Sequence, residues 1–433
     1  MTLWLLAATV ALLPLLTPAG PGASAPVDAV AVLYILLAVA GLVRSGRAVR
    51  FPAGGPLLLI VAASLAATAA SLSPATSLLS LLVETYLIVL LVCVASELEG
   101  DRRGLRVTLA IWSVAALAWS TLFIGLSLDL LPGAVRGLVA GSAGDAARVA
   151  GASRNPNLAA SYLMTSFFVL LASPWPRRRP ARLAAAGWLL AGLWVTGSNG
   201  ALLGVAAGAA VMAVARGLRA GRSPGERFGV VGAALLTVAV ATTAVVLAVG
   251  VPRVAVSTVT DVARHQRGGV FGGTLGRLDR GVPSRLAIWG EAWRAAGSQV
   301  AVGVGPGVAK LIPVGTTTLQ KGLHNDYLAF LIERGLLGLL GLVALVAVLL
   351  RWSGRLLEAV VPDPGGGWLR PAGLSAAVVA NLVVATNHES FHFRHVWILF
   401  GLVWAASRLV PEPPASPPAR AEVTSEELGH VGG

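Results

Sequence analysis

The chain has one cysteine, Cys93, so no disulfide can form within it and a zinc–thiolate cluster is excluded. Charge is scarce: 12% of the 433 residues are Asp, Glu, Lys or Arg, against 56% apolar. With a positive mean hydropathy, that balance does not describe a soluble chain of this length. There are no strand-then-Gly-Lys-Ser/Thr phosphate loop and no internal repeat. The two lysines both fall in one region, at Lys310 and Lys321.

What is present is a succession of apolar runs, each long enough to cross a hydrocarbon core of roughly 30 Å. They lie near residues 2 to 18, 27 to 43, 56 to 72, 76 to 96, 105 to 127, 157 to 174, 183 to 198, 200 to 215, 229 to 250, 326 to 350, 372 to 387 and 395 to 410. An all-α polytopic membrane protein of about twelve transmembrane helices is expected. Residues 1 to 410 then form one membrane domain, and the Pro-rich, acidic stretch 411 to 433 is a disordered cytoplasmic tail. The apolar start could pass for a signal peptide, with Ala23-Ser24-Ala25 as its cleavage site. No basic residue precedes it, however, and Pro26 follows the cut, so it is read as the first crossing.

Orientation follows from arginine, because short basic loops stay cytoplasmic. The loops after even-numbered runs carry Arg44, Arg47 and Arg50, then Arg102, Arg103 and Arg106, then Arg177, Arg178, Arg179 and Arg182, with further arginines after the eighth and tenth runs. The short loops after odd-numbered runs hold only Arg394. Both termini are therefore expected in the cytoplasm of a plasma (inner) membrane protein, and residues 252 to 324, between the ninth and tenth helices, form a long external loop. The net charge of +13 is spread over those loops, which argues against nucleic acid as a partner and for anionic lipid headgroups and lipid-linked phosphates.

That external loop is cationic, with seven arginines and only Asp261, Asp279 and Glu291 as acids between Pro252 and Leu323. It suits a phosphate-bearing partner. It ends in His324-Asn325-Asp326-Tyr327-Leu328 at the start of a long apolar helix, with Glu333-Arg334 about two turns further in. A charged pair at that depth must face protein or a wet cavity. Glu84 is a second acid within an apolar run, with either a functional or an interhelical hydrogen-bonding role open to it.

Four elements occur in order: the helix start Asn155-Pro156-Asn157, the stretch Arg285 to Trp289, the glycine turn Gly303 to Gly307, and His324-Asn325-x-Tyr327-Leu328 with Glu333-x-Gly335-x-x-Gly338. In this order and topology they resemble the O-antigen ligase and polymerase superfamily of bacterial membrane glycan transferases. The resemblance implies a GT-C-like fold and a glycosyltransferase of cell-envelope polysaccharide biosynthesis. Its donor would be a glycan on undecaprenyl pyrophosphate, its acceptor a hydroxyl on a lipid, glycan or protein at the outer membrane face, and no metal or nucleotide cofactor would be needed. It further implies that His324 activates the acceptor hydroxyl and that Arg285 grips the pyrophosphate. Arg154, Asn157, Arg264, Arg294, Asn325 and Tyr327 are the expected substrate-binding residues, with His265 beside them. One departure is Ser198-Asn199-Gly200, where the superfamily commonly has Ser-Arg-Gly.

A competing motif is His388-Glu389-Ser390-Phe391-His392, which matches the H-E-x-x-H pattern of zinc proteases. It falls in the short external loop between the last two helices, and is expected instead to line the rim of the glycan site. A transporter, the third class, should show repeated halves.

Overall fold

The computed structural model describes residues 1–16, 24–133, 135–136, 149, 151–153, 155–219, 288–311, 322–357, 359–362 and 368–410. The expected ninth crossing, most of the external loop and the C-terminal tail lie outside them.

The other eleven apolar runs all fall on helices: α1 Thr2–Ala11, α2 Pro26–Ser45, α3 Gly54–Ala69, α4 Pro74–Leu98, α5 Arg102–Ser127, α6 Pro156–Ala172, α7 Arg179–Val195, α8 Asn199–Arg219, α10 Asp326–Leu356, α11 Ala372–Val384 and α12 Arg394–Leu409. Helix α9, 288–296, falls within the segment 252 to 324 expected to be an external loop. The only strands among the described residues are Val361–Pro362 and Trp368–Leu369, paired antiparallel. Five helices, α2, α4, α5, α8 (over Asn199–Gly217) and α10, are long and apolar enough to cross a membrane.

The helix starts follow local chemistry. Proline opens α2, α4 and α6, where its missing N–H costs nothing. Side-chain oxygens of Asp101, Asn155 and Asn325 accept from the first free backbone N–H groups of α5, α6 and α10. Gly46, left-handed at φ 61°, ends α2.

Packing in lipid cannot rely on hydrophobicity between helices, so close approach of small residues matters. Along α8, Gly204 and Gly208 sit one turn apart against the Ala380 and Ala376 carbonyls of α11. A Cβ would stand 3.0 and 2.9 Å from those oxygens. Helix α11 is consequently buried over most of its length. Polar side chains fasten the same core: Asn381 Nδ2 donates to Thr165 Oγ1 at 2.9 Å, and Ser161 Oγ meets His395 Nε2 at 3.0 Å.

Helix α10 is broken in its N-terminal half. Gly335 has φ 68° and ψ −167°, which no helical residue adopts, and the break frees two carbonyls. The glycine turn fills the gap: Val304 N–H donates to Ile332 O at 2.9 Å and Gly305 N–H to Glu333 O at 3.0 Å. Backbone at membrane depth survives only when paired in this way. Gly303 and Gly335 must lack a Cβ, because each has positive φ and lies against backbone of the other segment.

Candidate functional site

Two charged clusters flank this re-entrant turn. The deeper one is buried. Glu84 lies ten residues after Pro74, about 15 Å along α4. Its Oε2 accepts from Ser64 Oγ at 2.9 Å and faces Arg334 Nη2 at 3.4 Å. Arg334 also donates through Nε to Ser64 Oγ at 3.1 Å and through Nη1 to Glu333 Oε2 at 3.0 Å. Its guanidinium stacks 4.3 Å from the Phe330 ring centroid. Glu84, unpaired in the sequence, is thus one of two carboxylates on a single arginine, and the pair Glu333-Arg334 faces protein as depth required.

The shallower cluster surrounds His324. This residue is half-buried and precedes the α10 cap with φ 52°, a left-handed conformation rare for a side-chain-bearing residue. Its backbone N–H donates to Glu389 Oε1 at 3.1 Å, and Gly322 leaves that carboxylate room. Glu389 Oε2 pairs with Lys310 Nζ at 3.5 Å. The imidazole stacks on His388 with the two Nδ1 atoms 3.4 Å apart. A hydrogen bond between them needs one ring to donate to the other, which would couple their proton positions. Asp326 fastens the loop that carries His388 and Glu389: its carboxylate accepts from Ser390 N–H at 2.7 Å, Ser390 Oγ at 3.0 Å and Phe391 N–H at 3.2 Å.

Of the residues expected from sequence, Arg154, Arg264, His265 and Arg285 lie outside the described residues. Asn325 caps α10. Tyr327 donates its hydroxyl to Leu382 O at 3.0 Å, tying α10 to α11. Both are therefore held by the fold itself. Arg294 is exposed on α9. That helix docks beside His324: Ile288, Ala292 and Ala296 pack into a small apolar cluster with Val304, Leu323 and Ile332, and Trp289 Nε1 donates to Leu323 O at 2.7 Å. Asn157 accepts from Ser198 Oγ at 3.1 Å. The Ser-Asn-Gly turn thereby meets the Asn-Pro-Asn helix start, with Gly200 against Asn387 in the same loop as His388.

Sequence reading missed Glu389 as a partner of His324, and with it Lys310 and the Asp28–Arg394 ion pair that ties α2 to α12. The H-E-x-x-H match falls in the loop that meets His324, but not as a protease signature. Residues 388 to 393 are not helical, so the two histidines do not share a helix face as the protease signature requires. His395 instead bonds Ser161 in the core. Among the described residues no group of three His, Cys, Asp or Glu is placed to hold a metal.

A cavity of about 610 Å³ runs between the clusters, bounded by α2, α4, the glycine turn, α10, the 389–392 loop and α12. Glu84, Glu333 and Arg334 line its deep end, and Lys310, Glu389, His392 and Arg394 its shallow end. The loop expected at the rim of the glycan site contributes Glu389, Phe391 and His392 to this lining.

Long apolar helices with a broken helix, a re-entrant turn and a half-enclosed polar cavity define a multi-pass membrane protein with a site built between its helices. Residues 184–343 match the family model described as O-antigen ligase, the superfamily that the ordered motifs resemble. The match spans α7 to the middle of α10, taking in Arg285, the glycine turn, His324 and the helix break. No curated protein matches the chain.

Proposed function

We propose that this protein is an O-antigen ligase-type membrane glycosyltransferase, moving a glycan from undecaprenyl pyrophosphate to a hydroxyl acceptor on the outer face of the plasma membrane. The observation that carries the reading is His324: it lies inside the family match and is half-buried, its backbone N–H held by Glu389, a residue of the cavity lining. In the reaction the acceptor oxygen bonds to the anomeric carbon while the bond from that carbon to the pyrophosphate oxygen breaks. His324 takes the hydroxyl proton. Arg285 receives the charge left on the departing polyprenyl pyrophosphate through its forked guanidinium. Arg154, Arg264 and Arg294 are supporting anion contacts. Both termini are cytoplasmic in this reading, with residues 252 to 324 external, and residues 1 to 410 act as one transferase domain.

Replacing His324 or Arg285 by Ala should abolish surface glycan while protein level and membrane insertion persist. Normal glycan in both variants would overturn the proposal. A polysaccharide polymerase of the same superfamily differs in its acceptor, the end of a growing chain, and an assay with defined acceptors separates the two.

A further inference from the structure

Two consecutive residues of the loop before α12 hold His324 at different places. Glu389 Oε1 accepts its backbone N–H at 3.1 Å, and His388 meets its ring, Nδ1 to Nδ1, at 3.4 Å. The rings are 20° from parallel with their centroids 5.7 Å apart. At that spacing 3.4 Å is close to the least distance two ring nitrogens can have, reached only when both lie on the line between the ring centres. The near-parallel rings are therefore displaced until they meet edge to edge, with the two Nδ1 atoms head on. A metal ion on that line would hold the nitrogens about 4 Å apart, twice the usual bond length. A single proton fits the shorter gap, which is long for a resting hydrogen bond and of the kind that tightens during reaction. The two rings also differ in setting. His324 is half-buried, whereas His388 is 7% exposed and braced from behind. Its backbone N–H donates to Val384 O at 2.9 Å. Its ring lies 5.4 Å from that of Phe393, which lies 5.5 Å from that of His395, and His395 bonds Ser161 of α6. A ladder of rings thus runs from the helical core to His324.

We propose that His388 is a positioning residue for the transfer reaction: its Nδ1 accepts the Nδ1 proton of His324 and so fixes the tautomer in which His324 Nε2 is the base. This rests on the transferase reading. A neutral imidazole carries one ring proton, so a His324 that takes the hydroxyl proton at Nε2 must hold its own on Nδ1. His388, with its proton on Nε2, supplies the acceptor for it. As the acceptor oxygen bonds to the anomeric carbon, its proton passes to His324 Nε2, and the electron pair of the broken bond stays on the pyrophosphate oxygen. The imidazolium so formed donates a charge-assisted Nδ1–H bond to His388. That bond is stronger in the transition state than before it, which is what lowers a barrier. Once the glycan product departs, Nε2 releases its proton to water and both rings regain their starting tautomers.

The test uses the full chain in phosphatidylcholine nanodiscs with its histidines isotope-labelled at the ring nitrogens; with six histidines in the chain, single substitutions assign the signals. Solid-state nitrogen spectra should show His324 protonated on Nδ1, with that proton correlated to His388 Nδ1. His388→Phe keeps a ring and removes the acceptor. The correlation should vanish, and the rate at which surface glycan appears in cells should fall on the order of a hundredfold, as when the partner that orients a catalytic imidazole is lost. His388→Asn, whose Oδ1 can stand where Nδ1 stood, should return His324 to its Nδ1-protonated form and run about tenfold faster than His388→Phe. A wild-type His324 protonated on Nε2 would overturn the proposal. So would a His388→Phe rate equal to that of wild type, or equal rates in the Phe and Asn variants. The wild-type spectrum requires neither a variant that folds nor transfer activity, so its outcome is separate from that of the His324 and Arg285 substitutions.

Discussion

The Arg334 cluster and the His324 cluster stand on opposite sides of one glycine turn and use similar groups to different ends. Around Arg334 both carboxylates and the serine close on a single guanidinium and every member is buried, so the cluster's charge is spent largely on itself. Around His324 the carboxylate binds a backbone N–H, a half-exposed lysine completes it, and the imidazole reaches the surface. Depth makes the difference. In the low dielectric a charge must be fully compensated, which turns the deep cluster into a lock for the broken helix. At the rim water can screen what the protein leaves open, so a titratable ring can be presented to a substrate.

If that contrast is right, the largest effect on folding comes from unbalancing the lock. Arg334→Ala leaves two buried carboxylates on one side and should cost about 3–5 kcal/mol, seen as lost folded yield in size-exclusion profiles. Combining Arg334→Met with Glu84→Gln and Glu333→Gln should restore much of the yield. A yield no better than that of Arg334→Ala would show that the ion cluster does more than neutralise itself.

Next comes the seam between helix break and turn. Gly335→Ala forces a side chain into positive φ and against Ala301 and Val302, for about 1–3 kcal/mol. A lower thermal midpoint should follow, and an unchanged one would argue against the docked turn.

At the rim the order reverses, with activity moving more than stability. Glu389→Ala should depress glycan transfer strongly while lowering stability by only about 1–3 kcal/mol. Glu389→Gln, which still accepts the His324 N–H, should recover part of the activity. Equal activity in wild type and Glu389→Ala would remove Glu389 from the site. The smallest effect is expected at Ser198→Ala, where one hydrogen bond to Asn157 is worth about 1 kcal/mol or less.

Much of this fold is legible along the chain. Apolar runs report helices because a chain in lipid must satisfy its own backbone, and eleven of the twelve runs coincide with described helices, five of them long and apolar enough to cross a membrane. Helix starts are equally local: Asn155-Pro156 and Asn325-Asp326 state their caps within four residues. Gly303 to Gly307 and Gly335 were visible as glycines with a purpose, and the isolated acids Glu84 and Glu333 announced a need for partners through their depth. Which partner answered was not visible. Glu84 meets Arg334 and Asp28 meets Arg394 across helices far apart in the chain, and His324 meets Glu389 from the loop before the last helix. Periodicity and hydropathy describe one helix at a time, whereas an ion pair in a membrane depends on which faces of several helices converge. Packing of small residues such as Gly204 and Gly208 on α11 settles that convergence. Class, helices and the need for compensated charge were therefore set by local composition, while the pairing of charges and the cavity they enclose arose only when the helices came together.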